Sequence, residues 1–123
     1  MKKTNSINGF AYSHIGAHKV RENEDRSFWG NIKTAGGLNL AVAMVSDGVG
    51  GGNLGQLAAQ LTIDTIREHI LGSDLGSEKE IPQLLGSAIG AANKKVYAES
   101  RVYKNKSDMA ATIAVAVVCN GKL

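Results

Sequence analysis

At 123 residues the chain has the length of one compact domain, and 43% hydrophobic with 20% charged residues is a globular rather than a disordered composition. Fifteen glycines against one proline predict several turns or close backbone approaches that other residues cannot make. A net charge of +3, from 14 basic and 11 acidic residues, is too mild to point to nucleic acid.

The single cysteine, Cys119, excludes an intramolecular disulfide framework and a cysteine-built zinc site, and it fits a reducing, cytoplasmic setting. Met1-Lys2-Lys3 has the charge of a signal-peptide start, but polar Thr4, Asn5 and Ser6 stand where an apolar segment should follow. The longest apolar runs, 40–45 and 113–119, fall far short of the ~20 residues that span a bilayer. Neither export nor membrane association is expected.

Taken in chain order, residues 10–15 and 27–30 are short, weak strand candidates. Residues 38–46 alternate large and small, with Leu40, Val42 and Met44 on one face and Ala41 and Ala43 on the other, which predicts a strand covered on both sides. A helix is expected over 53–71, with Asn53 as its cap, Leu54, Leu57, Ala58, Leu61 and Ile66 as apolar positions, and Gly72 as its stop. After a polar connector at 72–80, a second helix starts at Ile81-Pro82, where proline suits the first turn. Its residues Ile81, Leu84, Leu85, Ala88, Ile89, Ala92 and Val96 keep helical spacing. Residues 112–119 form another buried strand. The predicted order is β-β-β-α-α-β.

Asn120-Gly121 is a strong signal for a two-residue type I′ hairpin turn, yet only Lys122 and Leu123 follow it. A turn without a return strand predicts a single domain, residues 1–123, cut before the hairpin closes.

Two segments carry the chemistry. Residues 21–26 place three acids (Glu22, Glu24, Asp25) between Arg21 and Arg26. Residues 45–55 place Asp47 at the end of a buried strand entering the glycine turn Gly48, Gly50, Gly51, Gly52 and Gly55. Carboxylates and free glycine carbonyls are hard oxygen ligands suited to Mg²⁺ or Mn²⁺. Singly, the first segment reads as a solvated charge cluster and the second as a turn. Gly50 to Gly55 also satisfies the G-x-G-x-x-G dinucleotide fingerprint, but Asp47 would repel a pyrophosphate and a second helix follows where a strand should.

Together the two segments resemble the protein phosphatase type 2C family of metal-dependent serine/threonine phosphatases. The resemblance rests on Arg21 with Asn23-Glu24-Asp25, on Val45-Ser46-Asp47-Gly48-Val49-Gly50-Gly51 with Gly55, on Ala91-Ala92-Asn93, and on Met109-Ala110-Ala111-Thr112. It implies an α+β fold, a four-layer α-β-β-α sandwich present as its N-terminal portion. It also implies two divalent ions, Mn²⁺ or Mg²⁺. Asp47 would bridge them, the Gly48 carbonyl would be a further ligand, and Glu24 and Asp25 would bind directly or through water. Arg21 would hold the substrate phosphate, and hydrolysis of phosphoserine or phosphothreonine in a protein substrate would proceed by in-line attack of water. A protein kinase acting in the opposite direction is the implied partner.

Three positions depart from the family's pattern. Arg21 stands one residue nearer to Asn23-Glu24-Asp25, Ala110-Ala111 replace glycine-threonine, and Val49 stands where some members carry a histidine. His14, His18 and His69 match no motif and read as ordinary polar residues. Family domains are about twice this length, and their second half supplies two more metal-binding aspartates. Glu24, Asp25 and Asp47 leave two divalent ions undercompensated, so this chain alone is expected to be inactive and marginally folded. A non-catalytic phosphatase-like binding module and a nucleotide-binding fragment are the other readings. Lys94, Lys95, Arg101, Lys104 and Lys106 form a basic stretch that is either a solvated helix end or a docking surface for acidic or phosphorylated protein.

Overall fold

The computed structural model describes residues 7–17, 22–102 and 108–123. Arg21, His18, Lys104 and Lys106 lie outside the described residues. Strand β1 (Asp25–Lys33) and strand β2 (Asn39–Val49) form an antiparallel hairpin. Helix α1 (Leu54–Leu71), a 3-10 turn (Glu78–Glu80) and helix α2 (Ile81–Ser100) follow, then strands β3 (Ala110–Ala111) and β4 (Ala114–Val118).

β2 is the centre of the sheet. β1 pairs along one edge, and β3 and β4 pair along the other, all antiparallel. β3 and β4 keep one register: Val45 opposes Ala114 and Gly48 opposes Ala111, so no residue is inserted between them. The strand expected over 112–119 is therefore the longer part of one interrupted strand. Residues 27–30 belong to a strand extending from Asp25 to Lys33, because β2 is long enough to pair all of it. Residues 10–15 form no strand. Phe10 and Tyr12 are 88% and 74% exposed, and alternation alone cannot hold an extended segment without a ladder partner. The observed order is β-β-α-α-β-β.

One sheet face is apolar and buried. Ile32, Leu40, Val42, Met44 and Val117 join Ile63, Ile66 and Ile70 of α1 and Leu84, Ala88 and Ala92 of α2 in the main core. α1 lies on β1 and β2, and α2 lies against α1. Fully burying side chains of the size of Ile66 and Met44 stabilises by roughly 1.5–3 kcal/mol each. The small residues Ala58, Ala59, Ala88 and Ala92 allow close helix approach. The buried Thr62 hydroxyl donates to the Ala58 carbonyl at 2.8 Å. The described residues thus supply one sheet and one helical layer, two of the four layers expected.

A second apolar cluster, Leu54, Ala58, Val96 and Met109, ties the start of α1 to the end of α2 and to β3. It lies beneath the end of β2 that carries Asp47. The β1–β2 loop is fixed from outside: Gly37 adopts φ +93°, and Thr34 Oγ1 donates to Leu75 O at 2.7 Å while accepting from Leu38 N at 3.0 Å. Asn120 and Gly121, at φ 51° and 76°, form the expected I′ turn, closed by two hydrogen bonds between Cys119 and Lys122.

Candidate active site

Asp25 opens β1 and Asp47 lies near the end of β2, and the hairpin register sets them directly opposite each other. Residues so paired project from the same sheet face with Cβ atoms ~5 Å apart. Both are exposed, on the face away from the helices. The Asp25 carboxyl is held above the ordinary aspartate range, first by partial desolvation, then by the charge of Asp47 and a side-chain hydrogen bond with it; Arg26 acts the other way. Two carboxylates held face to face carry a repulsion that a cation would relieve. They are also the hard oxygen donors that Mg²⁺ and Mn²⁺ select. On these grounds the pair fits a divalent ion.

Glu24 turns elsewhere. Its carboxylate lies against Gly55 in the first turn of α1, so close that a Cβ at that glycine would stand 2.5 Å from Oε1. A negative charge there is favoured by the helix dipole. Among the described residues no group of three or more His, Cys, Asp or Glu side chains is placed to hold a metal ion. The structure therefore unites Asp25 with Asp47 and sets Glu24 at the helix start.

Gly48 is required by contact. A Cβ there would fall 1.8 Å from the Gly55 carbonyl oxygen, so only glycine lets β2 and α1 approach this closely. The Gly48 amide donates to Glu24 O at 3.2 Å, which joins the two sequence segments through the backbone.

Two residues whose placing role the sequence did not disclose fix this arrangement. Arg26 points to the helix side of the sheet, where Nη1 donates to the carbonyls of Asn23 (2.8 Å) and Asp25 (2.7 Å) and Nη2 to Gln56 Oε1 (3.1 Å). It clamps the segment before β1 onto α1. Thr112 holds the other side: its amide donates to Asp47 O at 2.8 Å, and its Oγ1 accepts from Asp47 N at 3.1 Å. The fully buried Ser46 hydroxyl donates to Thr112 O at 2.7 Å, so the Thr112 carbonyl is held by Ser46 while its side chain serves Asp47. The alternation that puts Arg26 on the inner face was the only sequence signal for either role.

Asn23 Oδ1 accepts from Asp25 N at 3.0 Å, and its amide donates to Ser13 Oγ at 2.8 Å. Beside it opens a polar cleft of about 1060 Å³ lined by Ser13, His14, Glu22, Asn23, Gly51 and Asn53. The glycine turn leads into α1, but Asn53 makes no side-chain cap. Because both neighbours of β2 are antiparallel to it, the turn does not belong to a parallel βαβ unit, and the dinucleotide reading falls. His14 Nδ1 accepts from Gly16 N at 2.9 Å, and His69 pairs with Ser87 at 3.1 Å on the helical side. No helix among the described residues is long and apolar enough to cross a membrane.

Neither a protein-family model nor a curated protein sequence matches the chain. Solved structures do. A serine/threonine phosphatase of S. agalactiae superimposes with a TM-score of 0.66 at 22% identity, over 87% of this chain and 42% of its own. The serine/threonine phosphatase PstP/Ppp of Mycobacterium tuberculosis gives 0.63 at 22% identity, over 80% of this chain and 37% of its own. That of Staphylococcus aureus gives 0.63 at 22%, over 81% and 38%. The chain spans about two fifths of the length of these phosphatases. Its mixed helix and antiparallel-sheet architecture is the fold of part of a bacterial serine/threonine phosphatase.

Proposed function

We propose that this chain is the N-terminal portion of a metal-dependent phosphatase domain that hydrolyses phosphoserine or phosphothreonine in proteins. The observation that carries the reading is the Asp25–Asp47 pair, opposed across β1 and β2 at the strand end that enters the glycine turn, in a fold shared with serine/threonine phosphatases. Asp47 and Asp25 would hold Mn²⁺ or Mg²⁺, with the Gly48 carbonyl adding a ligand and Glu24 acting from the helix start through water. Such ions, when bound, supply a nucleophile from water at neutral pH and withdraw charge from the phosphoryl group.

The chain's own residues do the positioning. Arg26 and Thr112 fix the backbone on either side of the carboxylate pair, and Gly48 lets the end of β2 that carries Asp47 lie close against α1 on the opposite face. Arg21 is assigned to the substrate phosphate, where a guanidinium fork matches two oxygens. The remaining metal ligands and the second sheet of the sandwich belong to the rest of such a domain. A cytoplasmic phosphoprotein is the proposed substrate, and a protein kinase the enzyme acting in opposition.

The test is release of phosphate from a phosphothreonine peptide with Mn²⁺, by the chain extended to the length of the matched phosphatases. Turnover should fall at least ~100-fold in Asp47→Asn, in the range typical for losing a group that stabilises transition-state charge. Equal rates in the two proteins would overturn the assignment. A second reading, a non-catalytic phosphatase-like binding module, is favoured by one observation: only two carboxylates gather among the described residues. It predicts no metal-dependent turnover at any length.

A further inference from the structure

The positive charge of this chain is concentrated in one place. Residues 94–108 contain five bases (Lys94, Lys95, Arg101, Lys104, Lys106) and two acids (Glu99, Asp108), so this stretch carries the whole net charge of +3 and the rest of the chain balances. Lys94, Lys95 and Arg101 are exposed. Helical spacing sorts them: Lys94 and Arg101, seven residues apart, share a stripe with Tyr97 between them, while Lys95 and Glu99 lie on the far side.

Tyr97 of that stripe also lines a groove of about 260 Å³ between α2 and the start of the β3–β4 strand, together with Ile89, Asn93, Ala110 and Ile113. Ile89 and Tyr97 are exposed apolar side chains, 39% and 63% accessible, and Val102 just past the helix is 66% accessible. An apolar slot with Arg101 against its Tyr97 wall and exposed Lys94 one turn along the same stripe is matched by an apolar side chain flanked by carboxylates. The Arg101 guanidinium lies over the Tyr97 ring at 5.7 Å, which takes the ring face a nucleobase would stack on. The slot also has the volume of one or two aliphatic side chains rather than of a polynucleotide track.

From this juxtaposition we infer that the groove beside α2 docks an acidic peptide segment of a protein partner, seating an apolar side chain between Ile89 and Tyr97 with its flanking carboxylates on Lys94 and Arg101. The inference stands apart from the phosphatase reading, since none of these residues belongs to the Asp25–Asp47 site.

The probe is a fluorescein-labelled peptide with a central leucine flanked by glutamates, titrated with the protein and read by fluorescence anisotropy. Saturable, salt-sensitive binding is expected, weakened about 10-fold in Lys94→Glu, Arg101→Glu and Tyr97→Ala and unchanged in Lys95→Glu. Lys94→Gln gives the same reading should charge reversal disturb the helix, and circular dichroism confirms the fold of each variant. Absence of saturable binding, an equal loss in Lys95→Glu, or tighter binding of a single-stranded oligonucleotide lost in the same variants would each overturn the proposal.

Discussion

The two faces of the sheet are made by the same strands and obey opposite rules. Toward the helices, Leu40, Val42, Met44 and Val117 are closely packed in an apolar cluster, and even Ser46 has its hydroxyl satisfied. Away from them stand Ala43, Val45, Ala114 and Ala116 with the opposed pair Asp25 and Asp47, and the Gly9 backbone lies upon the Trp29 ring. One face supplies the stability that the other spends on two like charges held together. A site of mutually repelling carboxylates can be tolerated because the alternate residues of the same strands anchor it.

Breaking the inner face should cost most. Ile66→Ala removes a fully buried side chain at the meeting of α1 and the sheet, and a loss of ~2–5 kcal/mol is expected by urea denaturation. Gly48→Ala attacks the joint between the faces. Its Cβ would meet the Gly55 backbone, which cannot yield as a side chain does, so a cost near the upper end of the usual ~1–3 kcal/mol for overpacking is expected. A melting temperature equal to that of the unaltered protein would mean that β2 and α1 are not in contact there.

The outer face should respond in the opposite sense. Asp25→Asn removes one of two opposed charges and should stabilise the metal-free protein by ~0.5 kcal/mol or less at neutral pH, given its exposure. The pH dependence sharpens this. The folded Asp25 carboxyl titrates above its unfolded value, so between the two the folded state binds more protons. Its contribution is most favourable below the ordinary aspartate range and is lost as pH rises through the raised value. Asp25→Asn should flatten that slope in melts taken across acidic pH.

Glu78 provides the smallest effect and the reverse sign. Its carboxyl is lowered by the hydrogen bond from Asn120, then by the charge and hydrogen bond of Lys122. The stability it adds is present above the ordinary glutamate range and fades as pH falls through the lowered value. The ion pair lies at the surface, where solvent and salt screen it, so Glu78→Gln should leave the melting temperature at neutral pH unchanged within error.

The legible parts of this molecule are those where side-chain size repeats with a fixed period. β2, α1, the start of α2 and the Asn120-Gly121 turn follow from Leu40-Val42-Met44, from i, i+4 spacing, from Pro82 and from a dipeptide that accepts positive φ. Residues 10–15 misled because a strand is a property of a pair, and no neighbour within the described residues offers them a ladder. The acids of the site were visible as residue types. Their grouping came from the family resemblance alone, since Asp25 meets Asp47 only through a register that the β1–β2 loop sets, while Glu24, one residue earlier, is carried to the helix. Arg26 and Thr112 act through carbonyls and amides, which composition does not reveal.

The β1–β2 loop has a consequence for how such a chain can change by inheritance. Thr34 is bound to Leu75, and a Cβ on Gly36 would overlap the Asp74 carbonyl, so this loop is pinned by the segment after α1 and cannot absorb an extra residue. A one-residue slip of β1 against β2 would turn Ile32 and Phe28 outward and move Asp25 off Asp47 in the same step. Single-residue insertions between Thr34 and Leu38 should therefore be purged by both requirements at once, and length variation among descendants should accumulate at other connections.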